Sequence, residues 1–188
     1  MAEFILKAIT ALGADAPEIV TSSAWTITER ADVAMASLAL RKGRLNDVQA
    51  AATVAGVPLP GPAMSAAGPV YSAFWTAPDM WMIEAPFASH EDIRAALLAV
   101  FGEAASLTEQ TDAWVRFDLT GTGLVRLFEH LSNFDLACAA DGSATRTKID
   151  HLGCYLIVRS QTLVTLYGPR SSAQSLHHAL VVAARALA

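Results

Sequence analysis

The chain has 188 residues, a hydrophobic fraction of 53%, a mean hydropathy of +0.37 and a net charge of −5 at neutral pH. Much of the apolar excess is alanine and no apolar run approaches the ~20 residues that a bilayer-spanning helix needs, which argues against a membrane protein; the acidic balance argues against a phosphate-tracking nucleic-acid surface. Two cysteines, Cys138 and Cys154, are too few for a disulfide framework and lack a Cys/His set for zinc, so a reducing, cytoplasmic setting is expected.

In chain order, Met1 to Gly13 holds the apolar Phe4-Ile5-Leu6 behind Glu3, with no basic region of the kind a signal peptide carries. Ile5, Ala8, Ile9 and Leu12 fall at helical spacing and predict an amphipathic helix that docks either on the body of the protein or on a partner. Residues 1–26 are read as an extension.

From there the chain reads as one unit written twice, over 27–101 and 107–188. Ile27-Thr28-Glu29-Arg30-Ala31-Asp32 recurs as Leu107-Thr108-Glu109-Gln110-Thr111-Asp112. Each is followed by a strand that ends in glycine: Ala36 to Leu40 with Gly43, and Trp114 to Leu119 with Gly121. The second strand alternates with period two, placing Trp114, Arg116 and Asp118 on one face and Val115, Phe117 and Leu119 on the other. Helices come next. Asn46 with Gln49 predicts a capping box before the stripe Val48, Ala51, Ala52 and Ala55, with Gly56 as the stop. Thr122 is expected to cap a helix with the stripe Leu124, Leu127, Phe128 and Leu131.

A β-hairpin is expected in each half, Ser72–Thr76 with Met80–Ala85 around a type I turn at Pro78-Asp79, and Tyr155–Arg159 with Thr162–Tyr167. Pro86 and Pro169 then lead into closing helices, headed by Ser89 with Asp92 and by Ser171 with Gln174. The fold class is therefore α+β: a duplicated strand–helix–hairpin–helix unit with helices packed on antiparallel sheets.

Catalytic chemistry is not evident. Cys154 has His151 nearby, but their odd separation on a strand would set them on opposite faces and Gly153 suggests a turn between them, so a structural cysteine is expected. His177 and His178 are adjacent on a helix and diverge by about 100°; His90 and His130 sit near helix ends. Glu29, Asp32, Glu109 and Asp112 occupy repeat-related places, where structural roles are favoured over acid/base work. Gly121-Thr122-Gly123 completes neither a dinucleotide fingerprint nor a P-loop. Trp75, Trp81 and Trp114 are either core or partner anchors. With Ile5 and Ile9 they form the candidate partner interface.

The segment Trp75-Thr76-Ala77-Pro78-Asp79-Met80-Trp81-Met82-Ile83 resembles the Trp-x-Gly-Pro-Asp-Glu-Trp-Leu-Leu hairpin of the gamma subunit of heterotetrameric sarcosine oxidase. Asp112 to Gly121, Asn133-Phe134-Asp135-Leu136 and Ala144-Thr145-Arg146-Thr147 are similar to further motifs of that family, in its order, across roughly residues 25–180. Departures are Ala77 for glycine, Met80 for glutamate and Thr122-Gly123 for a Pro-x-Ala step.

The resemblance implies a fold like the folate-binding domain of aminomethyltransferases. It also implies a non-catalytic assembly role beside alpha, beta and delta subunits, in a complex that oxidatively demethylates sarcosine to glycine. No cofactor is expected on this chain; FAD, FMN, NAD, zinc and tetrahydrofolate are expected in the partner subunits. The alternatives are a free-standing tetrahydrofolate-binding module, with Leu152-Gly153-Cys154-Tyr155 faintly resembling a Lys-Gly-Cys-Tyr/Phe folate-protein motif, and a free-standing aminomethyltransferase, for which the chain is too short.

Overall fold

A computed structural model describes residues 7–187. Eleven strands and four α-helices alternate along it. β1 (Ile19–Thr21), β2 (Trp25–Arg30) and β3 (Val33–Leu40) lead into α1 (Leu45–Ala55). β4 (Ser65–Ala67), β5 (Ser72–Ala77) and β6 (Met80–Pro86) lead into α2 (Ile93–Phe101). β7 (Ala105–Glu109) and β8 (Trp114–Gly121) precede α3 (Leu124–Leu131). β9 (Ala144–Ile149), β10 (Leu152–Ser160) and β11 (Leu163–Pro169) precede α4 (Ala173–Arg185).

Two antiparallel sheets result, one of six strands in the order β1-β2-β8-β11-β10-β9 and one of five in the order β4-β5-β6-β3-β7. The segments 27–101 and 107–188 are not separate bodies. β2 leaves its own half to pair with β8, Ile27 opposite Leu119, and β7 pairs with β3, Leu107 opposite Leu38. The edges also meet where Ala144 N donates to Ala63 O at 2.8 Å.

Strand alternation sorts the side chains into three apolar layers. Leu124, Leu127, Phe128, Leu176 and Leu180 of α3 and α4 pack on Phe117, Leu119, Leu156 and Leu166 of the six-stranded sheet. Val48, Ala52, Ile93 and Leu97 of α1 and α2 pack on Ala36, Leu38, Ile83 and Trp81 of the five-stranded sheet. Met35, Phe74 and Met82 meet Ala144, Ile157 and Tyr167 between the sheets. The order of layers is helices, sheet, sheet, helices.

Several sequence expectations are corrected at element ends. α1 begins at Leu45, so Asn46 lies inside the first turn; Arg44 takes the cap position without a side-chain cap, although Gly56 does close the helix in the left-handed conformation (φ 66°). α3 starts after Gly123, whose N–H is held by Ala24 O at 3.2 Å, and Thr122 caps nothing. α2 is capped by Asp92, which accepts from Ala95 N at 2.8 Å, and Ser89 lies in a preceding 3-10 turn. Ser171, expected to head α4, lies in a preceding 3-10 turn, and Ser172 takes the cap position without a side-chain cap. The hairpin turn has φ 60° at Asp79, which a type I turn does not allow at its second central position.

The N-terminal expectation also changes. Residues 7–10 have no regular structure and residues 11–16 turn, because Gly13 adopts φ 86° and donates to Thr10 O at 3.0 Å. No helix runs through Ala8, Ile9 and Leu12; Ile5 lies outside the described residues. Part of the proposed extension belongs to the sheet, since Ile19–Thr21 pair with residues 26–28 and the next strand starts at Trp25.

Gly68 and Gly121 are both required by contact, a Cβ at Gly68 lying 2.7 Å from Gly56 O. Gly121 has φ 138°, and a Cβ there would lie 2.2 Å from Ala24 O. Gly121→Ala is expected to destabilise by about 3 kcal/mol or to prevent folding, read by urea denaturation.

Candidate functional site

The face of the six-stranded sheet that looks toward the other sheet is polar along one register line. Arg30 of β2 pairs with Arg116 of β8, Arg116 with Tyr167 of β11, Tyr167 with Tyr155 of β10, and Tyr155 with Arg146 of β9. Guanidinium groups lie over both tyrosine rings, Arg116 over Tyr167 and Arg146 over Tyr155, each 5.8 Å from the centroid. The attraction of a cation to the ring face supports this alternation.

Glu84 of β6 enters the row from the opposite sheet and is 2% exposed. Its carboxylate accepts from Arg159 Nη2 at 2.7 and 2.8 Å and from the Tyr167 hydroxyl, and lies 3.5 Å from Arg116. Arg116 also grips Asp118 through Nε and Nη2, both at 2.9 Å, while the Thr165 hydroxyl donates to Asp118 at 2.7 Å. Arg30 bridges Asp118 at 3.2 Å and Asp32 at 2.6 Å.

Burial acts to raise the carboxyl of Glu84, but Arg159 and Arg116, with the hydrogen bonds from Tyr167 and Arg159, outweigh it and hold the group below its ordinary value. Burial also pushes the Tyr167 phenol well up, and the Glu84 charge adds to this. For Arg116 burial works against the charge, yet Tyr167, Asp118 and Glu84 prevail and keep it fully protonated.

A cleft of about 560 Å³ opens at one end of this layer. Trp114, Tyr167, Arg30 and Arg116 line its floor, Arg170 one wall, and the segment from Lys7 to Ala11 its roof. The roof is pinned by Glu29, 1% exposed, whose two carboxylate oxygens accept from Leu12 N at 3.0 Å and Glu18 N at 3.1 Å. Arg170 donates to Ile9 O at 3.3 Å, and Lys7 pairs with Asp15 at 2.6 Å. Among the described residues, every cation lining the cleft is thus committed to an acceptor of this chain.

The four repeat-related acids do not converge as an acid/base pair. Glu29 holds the N-terminal segment, Asp32 binds Arg30, Glu109 accepts from Thr111 N at 3.1 Å, and Asp112 lies 3.7 Å from Arg170.

Cys154 is buried inside β10 with its thiol on the Leu152 carbonyl, while His151 is exposed and 3.4 Å from Asp150. The expected turn at Gly153 is corrected: Gly153 lies in β10 and pairs with Lys148. The turn falls before it, where Asp150 has φ 54°. His177 stacks on Phe117 at 5.6 Å while its neighbour His178 is exposed. His90 stacks edge-on against Tyr71 and His130 binds Arg126 O at 3.0 Å. Among the described residues no three His, Cys, Asp or Glu side chains form a group that could hold a metal ion.

The candidate interface residues separate. Trp81 is 9% exposed in the core below α1 and α2, with its indole N–H donating to Pro60 O at 2.8 Å. Trp75, directly opposite it across the hairpin, is half-buried. Trp114 is half-buried at the cleft, 5.2 Å from the Tyr155 ring, and Ile9 is 54% exposed. Ile5 lies outside the described residues.

Sequence reasoning missed Glu84, Arg159 and Tyr167. The signal was present: a lone carboxylate inside Met82-Ile83-Glu84-Ala85, set off by 83 residues from Tyr167 just as Pro86 is from Pro169.

No family model matches the chain, and no curated protein matches it. Solved structures do. A chain of the heterotetrameric sarcosine oxidase from Corynebacterium sp. U-96, in complex with pyrrole 2-carboxylate, superposes with a TM-score of 0.73 at 17% identity, over 88% of this chain and 86% of that one. The glycine cleavage system aminomethyltransferase T from Bartonella henselae superposes with a TM-score of 0.59 at 11% identity, over 81% of this chain and 44% of that one. The fold is aminomethyltransferase-like, and the chain spans less than half the length of that enzyme.

Because the folded-state value of Glu84 is depressed, its contribution to stability is complete above the ordinary value near 4.5 and lost as pH falls through the lower folded value. Urea titrations over this range should show a shallower acid loss in Glu84→Gln than in wild type. Tyr167→Phe should lose about 2 kcal/mol at neutral pH. The thiols give a separate readout: burial raises Cys154 to about 11, and Asp135 raises exposed Cys138. Iodoacetamide should therefore label only Cys138 in the folded chain and both thiols in urea.

Proposed function

We propose that this chain is a non-catalytic assembly subunit of a heterotetrameric sarcosine oxidase, in the position of its gamma subunit. The observation that carries the reading is the near end-to-end match to a chain of that complex, 88% of one and 86% of the other. A match to a domain within a longer enzyme is weaker by comparison, at 44% of the aminomethyltransferase.

Oxidative demethylation of sarcosine to glycine would then be carried out by alpha, beta and delta partners, with FAD, FMN, NAD, zinc and tetrahydrofolate held there. The two runs of strand, strand, helix, strand, hairpin and helix are read as one duplicated unit retained as a scaffold. Two features support a packing role. The charged groups between the two sheets are satisfied by one another, and Val54 and Leu98 stand 91% and 42% exposed on the neighbouring helices α1 and α2. Apolar groups left in water favour a covering partner.

Tetrahydrofolate binding by this chain is the second reading. It is favoured by the 560 Å³ cleft with Trp114 and Tyr167 in its lining, a volume within the range of small-molecule sites. The commitment of Arg30, Arg116 and Arg170 to internal acceptors weighs against it.

Co-expression with the two large flavoprotein subunits and the small cysteine-rich subunit of a sarcosine oxidase tests the first reading. The chain is expected to co-purify with them and to raise the yield of active complex. A monomer that never joins them would overturn it. Calorimetric titration of tetrahydrofolate into the isolated chain tests the second, with no heat at millimolar ligand as the expected result.

A further inference from the structure

The two sheets present four strand edges. β1 and β4 are three residues long and β7 is five, and Arg94 Nε already occupies the Leu107 carbonyl of β7 at 3.3 Å. β9 is longer, at six residues, and among the described residues its positions 145–149 make no backbone-to-backbone hydrogen bond except to β10, the Arg146 carbonyl taking only a long 3.5 Å bond from the neighbouring Thr145 hydroxyl. A row of unpaired N–H and C=O groups is a template for another strand. A groove of about 970 Å³ follows this edge, with Ser132 and Asn133 on one wall and Arg146 and Lys148 on the other.

The charges along the edge indicate what fits. Arg146 and Lys148 share one face of β9 and are both exposed. Among the described residues neither makes an ion pair, whereas Arg30, Arg116, Arg159 and Arg170 all do. The chain as a whole is acidic, so this is a local excess of the opposite sign. On the other face the Thr147 hydroxyl meets Ser132 at 2.7 Å, a small polar lining. Glu129 and Asp150 are the acids of the groove, at its ends, and Asp150 has His151 at 3.4 Å.

A second copy of the chain fits poorly. Antiparallel pairing of β9 with itself about Thr147 would set Arg146 opposite Lys148 twice, and like charges directly opposite destabilise a strand pair.

We propose that β9 is a docking edge for an extended acidic segment of a partner protein. The segment adds a strand beside β9 and sets carboxylates, at every second residue, against Arg146 and Lys148. The residues between them face the Thr147–Ser132 hydroxyls and are small or polar. Taking that partner to be a subunit of the same oxidase rests on the assembly reading; the edge site itself does not.

Two arms keep those failures apart. In the first, the full chain is co-expressed with the other sarcosine oxidase subunits and hydrogen exchange is followed at residues 145–149. Exchange there is expected to slow at least about tenfold on assembly, and the double variant Arg146→Glu with Lys148→Glu to cut the yield of complex by about tenfold. The control Lys42→Glu with Arg126→Glu carries the same change of net charge on exposed positions and should assemble normally, both variants keeping the wild-type Tm. Assembly with unchanged exchange at β9 and a harmless double reversal overturns the proposed edge and leaves the assembly reading intact.

In the second arm, the isolated chain is titrated with a blocked Ser-Glu-Ser-Glu-Ser-Glu peptide and with its lysine counterpart. Protection of residues 145–149 by the acidic peptide alone supports the edge site even if the first arm yields no complex. Protection by neither peptide or by both, or self-association through β9, overturns it.

Discussion

Glu84 is the constraint around which the molecule is arranged. A carboxylate removed from water in the layer between two sheets is tolerated only when opposite charges and hydrogen bonds meet it, since the desolvation penalty is several kcal/mol per ion. Arg159, Arg116 and Tyr167 all come from the facing sheet to do this. The apolar part of that layer, with Met35, Phe74, Met82, Ala144 and Ile157, is a surface over which two sheets could pack in several ways. Methionine in particular adapts to many packings. One directional network among them selects a single register of sheet on sheet.

The exchange of strands has a related effect. With β2 paired to β8 and β7 paired to β3, neither half keeps a complete sheet when separated from the other. The two larger apolar clusters lie under α1 and α2 on one side and under α3 and α4 on the other. The network between the sheets then sets how the two double layers face each other. The N-terminal segment is held to this body by backbone donors to the buried Glu29 and by Arg170, so it roofs the cleft without forming a helix.

An interior whose charges are satisfied by one another leaves little free chemistry for a substrate. Arg30, Arg116 and Arg159 would be anion-binding groups in another setting, but here their donors face Asp32, Asp118 and Glu84. The unspent potential lies at the periphery instead, in exposed apolar side chains on α1 and α2 and in the cationic edge of β9.

The local elements were legible in the sequence because periodicity and turn chemistry act over a few residues. The stripe Leu124, Leu127, Phe128 and Leu131 is fully recovered as the buried face of α3, and both hairpins form from the expected strands, although Asp79 departs from a type I turn and Thr162, expected in a strand, lies in the second turn. Helix starts were less legible, because Asn46, Thr122 and Ser89 are good caps only if the chain enters the helix at that residue, and packing decides the entry. The face carrying Trp114, Arg116 and Asp118 was visible as polar, but its burial was not: whether water or a second sheet covers a polar face depends on residues far away in the chain. Glu84 and Tyr167 lie 83 residues apart and β2 crosses to β8 over a similar distance, so the repeat offset marks the first contact only as a correspondence of positions, and no local pattern announces that either pair touches. The sequence by itself determined the central strand, helix, hairpin and closing helix of each half and their order; the tertiary structure decided the further strands β1, β2, β4 and β7, the exchange of strands and the pairing of buried charges, since these follow from which surfaces meet.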